Sequence, residues 1–423
     1  MLKKLLFYCK LMRFALSLGL ERVGFLVLAR IHRLTYKAVP NPKNVVVVGG
    51  SFAGFFLAKE LADSLPTGYR VIVIEKHSHY YFTWNFPRVT VVEGHTQNAF
   101  VPYPDESLVQ PAGVYSFRQG EVVDIGDGQV TLADGTIIPF EFLAIATGSN
   151  ARYPAEMDAD NKFDCIAFFE KQQQRIKAAD HIVIVGAGAA GVEVAGDIMT
   201  TYKNKKVTLV HSRQQLLNKF GNELHNVAKK GLEDLGVELV LGDRVVAGLD
   251  SDGPAEIRLQ SGKVLQADML IRSTGQHPES TLVKKAFPSA ISPSGNILVE
   301  KTLQIKGCPP NIFACGDVID LPGPRLGRAA TYQGMFVGDN IVRSIKGKPL
   351  KEYKPGMIDA SIDLTLGVGN NVTYINDAGD EMTFPTKMPD VNLHAAQAWK
   401  VMYAKPFEDP GYTPKKVAEL ADV

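Results

Sequence analysis

Two stretches of the chain share one pattern, in which an apolar run leads through a glycine-rich turn into a helical segment. They are NVVVVGGSFAG at residues 44–54 and HIVIVGAGAAG at residues 181–191. A second apolar run follows each of them, YRVIVIE at residues 69–75 and VTLVHSR at residues 207–213. A strand that enters a helix through such a turn, with a second strand behind it, is typical of a dinucleotide-binding domain. The pattern therefore predicts two such domains in one chain.

The second turn has the complete G-x-G-x-x-G spacing, with Gly186, Gly188 and Gly191. The first glycine makes the tight turn, the second lets backbone approach a pyrophosphate, and the third lets helix and strand pack closely. We expect the free N–H groups at the helix start to face the phosphates. Either turn alone is also consistent with an ordinary strand-to-helix corner, whereas the recurrence favours two nucleotide sites.

The first turn departs from this spacing at one position, because Ser51 stands where the middle glycine is expected. Serine adds little bulk, so a phosphate can still approach the backbone closely. The whole turn is predicted to contact a nucleotide, and it consists of Gly49, Gly50, Ser51, Phe52, Ala53 and Gly54.

The ends of the second strands predict which nucleotide binds at each site. Glu75 can accept both hydroxyls of a ribose and repels a 2′-phosphate, which suits FAD. At the second site His211 occupies the acidic position, and Arg213 follows two residues later. A cation without a carboxylate favours NADPH, or NADPH and NADH alike. The alternative for Arg213 is a solvated loop that carries an arginine by chance.

Later segments contain hairpin signals and glycine-rich strand ends. Turn residues at 127–128 and 134–135 predict hairpins, and the strand that follows ends in Ala146, Thr147 and Gly148. The same order recurs before Gly275. A further strand ends in Gly316-Asp317, whose carboxylate can accept from ribitol hydroxyls of a flavin, with a turn-capping aspartate as the alternative. The helix that begins near residue 327 is expected to point its positive end at the isoalloxazine.

Composition agrees with a glycine-punctuated α/β enzyme of two to three domains, since the 423 residues are 45% hydrophobic and include 38 glycines. A net charge of +1 argues against a nucleic-acid partner. The four cysteines form no C-x-x-C pair, so we expect them to be packed or inert thiols, and no metal site is predicted. Without a cysteine pair beside the flavin, electrons must leave it directly for a small acceptor or a one-electron partner.

The N-terminal segment, residues 1–42, departs from this balance. Its first 39 residues hold eight lysines or arginines and one acid, Glu21, interleaved with apolar residues. The apolar run is interrupted at Glu21-Arg22, which argues against a membrane-spanning helix. A helix in the membrane interface, with its cations at lipid headgroups, is favoured. A mitochondrial presequence and a helix packed on the core are the alternatives.

These motifs, in this order, resemble the two-dinucleotide FAD/NAD(P)H oxidoreductases of the pyridine nucleotide-disulfide oxidoreductase superfamily. The resemblance is greatest to the apoptosis-inducing-factor-like, or ferroptosis-suppressor, branch, which is related to type II NADH dehydrogenases. It covers about residues 43–405. Its more specific pieces are FRQGEVVDI at residues 117–125, VTLVHSR, YKPG at residues 353–356 and AWKVMYAKP at residues 398–406.

The motif order and the resemblance together predict an α/β fold of two doubly wound Rossmann-type domains. An FAD domain at residues 43–155 and 282–345 is split by an NAD(P)H domain at residues 156–281. A C-terminal α+β segment at residues 346–423 follows, with a strand pair around Asn376-Asp377 and a short helix near residues 394–404. This segment is expected to cover the flavin, to bind quinone or to form a homodimer.

The resemblance implies that NAD(P)H reduces FAD and that FAD reduces a quinone at a membrane surface, mitochondrial or on the cytoplasmic face of an intracellular membrane. Beyond the first turn, the candidate FAD contacts are Glu75, Lys76, Arg88, Val122 and Asp317. Glu193 is implied beside the nicotinamide and the flavin, and a helix-start glutamate favoured by the dipole is its alternative. Tyr332 or water is the candidate proton relay to the quinone.

Two positions depart from the relatives. Residue 2 is Leu rather than Gly, which excludes N-myristoylation. The A-Q-x-A-x-Q helix of type II dehydrogenases corresponds to residues 328–333, where Gln333 is kept and the first glutamine is absent. Two further functions stay open, a flavoenzyme acting on a specialised metabolite or an iron–sulfur acceptor, and a non-enzymatic apoptosis or nucleic-acid-binding factor.

Overall fold

The computed structural model describes residues 2–250 and 252–412 of the chain. It begins with the long helix α1 (Leu2–Thr35). The first domain then forms β1 (Lys43–Val48), α2 (Phe52–Ala62), β2 (Tyr69–Glu75), β3 (His79–Tyr81), α3 (Phe86–Val91), β4 (Phe100–Pro102), β5 (Tyr115–Gln119), β6 (Val122–Gly126), β7 (Gln129–Leu132), β8 (Ile137–Pro139), β9 (Phe142–Ile145) and β10 (Ser149–Ala151).

The middle of the chain forms α4 (Lys162–Ala178), β11 (His181–Val185), α5 (Ala189–Thr201), β12 (Lys206–His211), α6 (Asn222–Asp234), β13 (Glu238–Leu241), β14 (Val245–Ala247), β15 (Ala255–Leu259), β16 (Val264–Ala267), β17 (Met269–Arg272) and β18 (Gln276–Pro278). The last part forms α7 (Thr281–Ala286), β19 (Ile312–Ala314), α8 (Gly327–Ile345), β20 (Ile362–Thr365), β21 (Gly369–Asp377), β22 (Asp380–Met388) and α9 (Ala395–Val401). Short 3₁₀ turns lie at Thr83–Asn85, Thr96–Ala99, Glu106–Leu108 and Pro288–Ala290.

The first domain is a parallel sheet with strand order β19-β9-β1-β2-β5. Val45, Val46 and Val47 of β1 are fully buried, because helices or loops cover both faces of a parallel sheet and its strands become continuous apolar runs. Helices α2 and α8 cross closely on one face, and a Cβ at Gly334 would lie 2.1 Å from the Ala53 carbonyl oxygen. The close approach therefore requires glycine on α8.

The second domain repeats the arrangement with a parallel sheet of order β13-β12-β11-β17. Each domain also carries an antiparallel meander, β6-β7-β8 and β14-β15-β16, and the hairpins expected at residues 127–128 and 134–135 are both present. The chain passes between the domains on β10 and β18, which pair antiparallel. The predicted α/β fold with two doubly wound Rossmann-type domains is confirmed.

The C-terminal segment packs on both domains. Its strands have the order β20-β21-β22, so the strand pair expected around Asn376-Asp377 is present, with the turn at Ala378-Gly379. Leu364 and Tyr374 of this sheet are buried in the core of the second domain. Trp399 of α9 is buried among Phe55 and Tyr80 of the first domain. The segment thereby lies beside the space between the two domains.

Helix α1 runs without a break through Glu21-Arg22 and packs along the first domain and the C-terminal sheet. Arg33 forms an ion pair with Asp63 at 2.8 Å, and Arg22 lies 3.5 Å from Glu60 of α2. Near the other end, Lys10 lies 3.2 Å from Asp380. Within residues 2–250 and 252–412, no helix combines the length and the apolar character needed to cross a membrane.

Candidate functional site

A cavity of about 910 Å³ lies between the two dinucleotide domains, and both glycine-rich turns form part of its wall. We call it the dinucleotide cavity. The first turn contributes Gly49, Ser51, Phe52 and Ala53, and the second contributes Gly188, Ala189 and Ala190. The helix starts behind both turns therefore face one shared space, as the sequence predicted for two nucleotides bound close together.

The glycines of the first turn are required by backbone contacts. Gly49 has a φ of +98°, and a Cβ there would lie 2.4 Å from the Ala146 carbonyl oxygen. A Cβ at Gly54 would lie 1.8 Å from the carbonyl oxygen of Gly49. Glycine at these positions lets α2 approach β1 and β9 closely, which brings the helix start to the cavity.

The second turn repeats this geometry and adds an open position. A Cβ at Gly186 would lie 2.2 Å from the Ser273 carbonyl oxygen, and a Cβ at Gly191 would lie 2.0 Å from the oxygen of Gly186. A Cβ at Gly188 would meet no described atom within 4 Å. Because Gly188 lines the cavity, its missing side chain leaves room for a pyrophosphate, and the turn fits a dinucleotide.

Glu75 is buried at the end of β2 and is held by the first turn. Its Oε2 accepts a hydrogen bond from the Gly50 backbone N–H at 2.5 Å, and its Oε1 accepts from the His77 N–H at 3.0 Å. The His77 ring nitrogen lies 2.8 Å from the same oxygen. Burial alone raises the pKa of Glu75, but the hydrogen bonds and charge of His77 and the Gly50 N–H outweigh it, so the net pKa lies below its ordinary value. The carboxylate is charged and lines the cavity, which fits an acceptor for ribose hydroxyls.

His211 takes the place of that acid at the second turn. Its Nδ1 accepts a hydrogen bond from the Ala187 backbone N–H at 3.3 Å, and the Asn218 side chain lies within hydrogen-bonding reach of the ring. Burial, followed by the charge of Arg213, lowers the pKa of His211, so the imidazole is neutral. Arg213 is exposed on the loop after β12, and the second site thus combines a neutral imidazole with an exposed cation.

Glu193 lies one turn into α5 and lines the cavity. Its Oε1 accepts from the backbone N–H of Thr365 at 3.1 Å and from the Thr365 hydroxyl at 3.3 Å. Burial raises the pKa of Glu193 to about 8, against these hydrogen bonds. The C-terminal strand β20 therefore fixes the carboxyl group of Glu193, and its position beside a nicotinamide, implied by the family resemblance, stays a prediction.

Asp317 lines the cavity at the crossover between the domains. Its Oδ2 accepts from Gln276 Nε2 at 2.8 Å and from Ser149 Oγ at 3.3 Å, and these two residues belong to β18 and β10. Burial raises the pKa of Asp317, opposed by Arg325, Ser149 and Gln276. The polar group at this strand end fits contact with the hydroxyl groups of a bound flavin.

Arg88 lies behind the cavity wall. Its side chain is 1% exposed, and its Nε donates to Asp197 Oδ2 of α5 at 2.7 Å. Both terminal nitrogens lack partners among the described residues. The pair joins α3 of the first domain to α5 of the second, so that Arg88 contacts the neighbouring domain, and its predicted contact with FAD stays a prediction.

The other predicted residues divide into two groups. The cavity is also lined by Lys76, Val122, Ala146, Thr147, Gly148 and Gly275. Gly50, Gly54, Gly186, Gly191, His211 and Arg213 lie in or beside the two turns without lining it. Sequence reasoning missed Tyr103, Glu156, Lys219, Gln276 and Ser149, which line the cavity from loops or crossover strands and carry no local signal. Among the described residues no group of three or more His, Cys, Asp or Glu is placed to hold a metal ion.

A second cavity, of about 550 Å³, lies on the other side of α2 and is almost wholly apolar. We call it the acceptor cavity. It is roofed by α1 and enclosed by α2, α8, β21 and α9, and its lining includes Leu11, Phe14, Leu18, Phe56, Tyr332, His394 and Val401. Tyr332, predicted as a relay to the acceptor, thus lies in this cavity and outside the dinucleotide cavity.

The two cavities share a wall. Its residues line both spaces and are Phe52, Trp84, Gly327, Arg328 and Ser361. A Cβ at Gly327 would lie 3.0 Å from the Phe52 ring, so the ring is closely held at the start of α8. Arg328 pairs with Asp363 of β20. Single side chains of these residues, among them the Phe52 ring, thus face the dinucleotide cavity and the acceptor cavity at once.

Residues 43–334 match the family described as pyridine nucleotide-disulphide oxidoreductase. A curated relative, Fe-regulated protein 8 of Mycosarcoma maydis, is 34% identical over 357 residues, covering 77% of this chain and 87% of that protein. Ferroptosis suppressor protein 1 of Homo sapiens is 30% identical over 379 residues, covering 86% and 96%. The sulfide:quinone oxidoreductase structure from Aquifex aeolicus has a TM-score of 0.71 at 18% identity, covering 89% of this chain and 95% of that one, and supports the fold alone.

Proposed function

This chain belongs to the pyridine nucleotide-disulphide oxidoreductase family, and we propose that within it the protein is an FAD-dependent NAD(P)H:quinone oxidoreductase that works at a membrane surface. Its relatives place it in the branch of the ferroptosis suppressor proteins. Binding of FAD and a nicotinamide dinucleotide follows from the family, whereas the quinone acceptor and the membrane are the content of the proposal.

The acceptor cavity is the observation that carries the proposal. An apolar space with few polar groups suits a quinone ring and the start of its isoprenoid tail, because burying that surface is favourable in proportion to its area. Only the shared wall around Phe52 separates it from the dinucleotide cavity. A flavin ring bound beside that wall lies within a short distance of an acceptor in the cavity.

The residues of the dinucleotide cavity have separate duties in this proposal. Bound FAD would supply the capacity to take a hydride from NAD(P)H and pass two electrons onward. Glu75 binds the ribose of its adenosine half, and Asp317 binds its ribitol. Glu193, fixed by Thr365, accepts from the nicotinamide carboxamide and orients the ring for transfer. Tyr332 donates a hydrogen bond to the quinone.

The nucleotide is NADPH, or NADPH and NADH alike, in this proposal. His211 presents no negative charge to a 2′-phosphate, and Arg213 is free to approach one. Lys219 adds a second cation at the cavity wall. The contrast with Glu75, whose buried charge would repel such a phosphate, supports the assignment of FAD to the first site.

The outer side of α1 supplies the membrane contact. It exposes a stripe of large apolar side chains at helical spacing, each more than half exposed: Met12, Leu16, Leu20, Val23, Val27, Ile31 and Leu34. Basic residues flank the stripe, and such a helix lies in the interface between headgroups and acyl chains. Because Leu11, Phe14 and Leu18 on the inner side roof the acceptor cavity, a quinone leaving the bilayer would meet the cavity beneath the same helix.

Stopped-flow flavin bleaching tests the proposal. NADPH and NADH are mixed in turn with the oxidised enzyme, and a short-chain ubiquinone is then added. Rapid bleaching with either nucleotide and reoxidation that depends on the quinone are expected. Bleaching that only oxygen or an iron–sulfur protein reverses would replace the quinone by another acceptor, and no bleaching would contradict the electron-transfer function.

Two matched leucines of α1 test whether the quinone uses the acceptor cavity. Leu11→Trp places a large ring in the cavity, and we expect the KM for ubiquinone to rise at least about tenfold while bleaching by NADPH is kept, since overpacking excludes the ligand. Leu16, which is 65% exposed on the outer side, is the control, and Leu16→Trp should keep the wild-type KM. Equal behaviour of the two variants would place the quinone elsewhere.

Vesicle flotation tests the membrane contact. The full chain should float with vesicles that contain anionic phosphatidylserine, and Leu16→Asp with Leu20→Asp should abolish flotation because charge on the stripe opposes insertion. The double variant should still bleach with NADPH. Flotation that is unchanged by both substitutions would remove α1 as the contact.

A further inference from the structure

His394 directly precedes α9, as its N-cap residue, and its side chain lines the acceptor cavity. Its backbone is left-handed, with φ +66° and ψ 4°, and the preceding Leu393 also has a positive φ of +43°. Side chains with a Cβ rarely adopt this region, and two in succession are unfavourable in a segment without glycine. The conformation brings the imidazole to the mouth of an apolar space.

The fold makes little use of this imidazole. His394 stands at the N-cap of α9, where Ser, Thr, Asp or Asn would be favoured, yet its side chain makes no capping hydrogen bond. Within the described residues its ring nitrogens have no hydrogen-bond partner. The imidazole contacts the Trp84 ring in an edge-to-face arrangement, with ring centroids 5.7 Å apart. An unfavourable backbone that presents an unused polar group is a signature of functional sites.

The other titratable groups around the cavity are unsuited to proton delivery near neutral pH. Burial raises the pKa of Tyr80 of β3 well above its usual range and raises that of Tyr332 of α8. Arg328 of α8 is paired with Asp363, and a guanidinium keeps its proton. Among the described lining residues, His394 supplies the one imidazole, a side chain that can both release and take up a proton.

We propose that His394 donates a hydrogen bond to one carbonyl oxygen of the quinone and delivers a proton to it during reduction. The proposal rests on the quinone reductase function proposed above. Conversion of a quinone to a hydroquinone takes up two electrons and two protons. Bound FAD, once reduced by NAD(P)H, would supply both electrons and one of the protons, and the imidazolium of His394 supplies the second proton. The neutral imidazole regains a proton from water, since His394 is exposed on its outer side.

Quinone binding without turnover is the first test. The chain has two tryptophans, of which Trp84 lines the acceptor cavity and Trp399 is buried. Ubiquinone-1 added to the oxidised holoenzyme should quench Trp84 fluorescence, and Trp84→Phe should remove that signal. His394→Asn keeps a residue that tolerates the left-handed region and should weaken binding about three- to tenfold, the effect of one lost or displaced hydrogen bond.

The two half-reactions and the pH profile separate proton delivery from binding. In His394→Asn, bleaching by NADPH and reoxidation by ferricyanide, which takes no proton, should match wild type. Reoxidation by saturating ubiquinone-1 should slow at least about tenfold, within the usual range for a lost general acid. The wild-type rate should fall as pH rises, because delivery requires the protonated imidazole, and the variant rate should lack that fall.

A glycine variant guards against a folding artefact. Since φ is positive at residue 394, His394→Gly should keep or raise the thermal midpoint while quinone reoxidation still slows. Ala378→Gly, at φ +52° in the turn between β21 and β22, is the matched control and should leave quinone reoxidation unchanged.

The outcomes distinguish the two proposals. If wild type neither binds ubiquinone-1 nor is reoxidised by it, the quinone reductase function fails and the role of His394 fails with it. If wild type is reoxidised by the quinone and His394→Asn matches it in rate and pH profile, the role of His394 alone is overturned.

Discussion

The two glycine-rich turns have nearly the same backbone, but each donates a hydrogen bond to a side chain of different charge. In the first, the Gly50 N–H donates to the buried carboxylate of Glu75 at 2.5 Å. In the second, the Ala187 N–H at the equivalent position donates to the imidazole of His211 at 3.3 Å. One framework thus accepts either an anion or a neutral ring at the same point. The backbone of each turn leaves room for a dinucleotide, and under the proposed function the side chain at the strand end selects the charge that the nucleotide can carry.

The helices behind the turns extend the comparison. Two residues after the last glycine, α5 carries Glu193 into the dinucleotide cavity and α2 carries Phe56 into the acceptor cavity. Six residues after that glycine each helix buries an acid that faces an arginine, Asp197 with Arg88 and Glu60 with Arg22. Equivalent positions therefore line different cavities, which in the proposed function receive the nicotinamide on one side and the electron acceptor on the other.

The largest expected effect is on the free energy of unfolding, and it should differ between the two buried acids. Asp197→Asn leaves the fully buried Arg88 without its counter-charge, and we expect the free energy of unfolding to fall by about 3–5 kcal/mol. Glu60→Gln is the matched substitution, and because Arg22 is 40% exposed its loss should be about 1 kcal/mol or less. Urea denaturation measures both. Similar losses would mean that the two pairs are equivalent after all.

Removal of the acid from the first turn should weaken FAD binding. Glu75→Ala takes away the acceptor for the Gly50 N–H and for the ribose, and a loss of about 2–3 kcal/mol, or roughly 30- to 150-fold in Kd, is expected for hydrogen bonds to a charged group. The ratio of flavin to protein after gel filtration reports it. Glu141→Ala, on the surface near Lys43, is the control. A Glu75→Ala protein that purifies fully yellow would refute the assignment of this site.

Exchange of side-chain charge at the second turn should change nucleotide preference. His211→Glu introduces the acid of the first turn, and the KM for NADPH should rise about tenfold or more while that for NADH is nearly kept, because the acid repels the 2′-phosphate. Arg213→Ala should act in the same direction and more weakly. Equal changes for both nucleotides would show that neither residue reads the phosphate.

The smallest expected effect is on the pH dependence of the free energy of unfolding, measured on the nucleotide-free protein. The pKa of Glu193, raised by burial to about 8, exceeds its unfolded value, so its contribution to stability is complete below the unfolded pKa and is lost as pH rises through about 8. Between pH 7 and pH 8 this loss is about 1 kcal/mol. Glu193→Gln should reduce the difference in urea stability between these pH values. The exposed Glu223→Gln serves as the control, and an unchanged difference in Glu193→Gln would contradict the raised pKa.

The sequence predicts features that repeat locally and misses those that depend on distant contacts. Strand, turn and helix at both nucleotide sites follow from glycine spacing, and the strand-end residues Glu75 and His211 follow from that register. Thr365 lies 172 positions from Glu193, and no local pattern signals their contact. Arg88 illustrates the same limit, although an acid such as Asp197 on the apolar side of a helix indicates that a buried partner must exist.

The acceptor cavity was beyond reach for the same reason, since α1, α2, α8, β21 and α9 each contribute a few side chains. The sequence predicted the basic apolar helix at the N-terminus and left its place on the molecule open. Tyr332 was proposed as a relay only through the resemblance to known relatives; it lines the acceptor cavity, and its role stays a prediction. His394 had no signal, because a left-handed backbone is invisible in residue types other than glycine or asparagine.

The shared wall, in which the Phe52 ring is held against Gly327, gives the two cavities a common boundary, and the rest of each lining is separate. Phe14 and Val401 line the acceptor cavity and do not line the dinucleotide cavity, so substitutions there change the first lining and leave the second intact. Under the proposed function, duplicated genes carrying this fold can therefore diverge toward new electron acceptors while the NAD(P)H donor and the nucleotide sites stay the same.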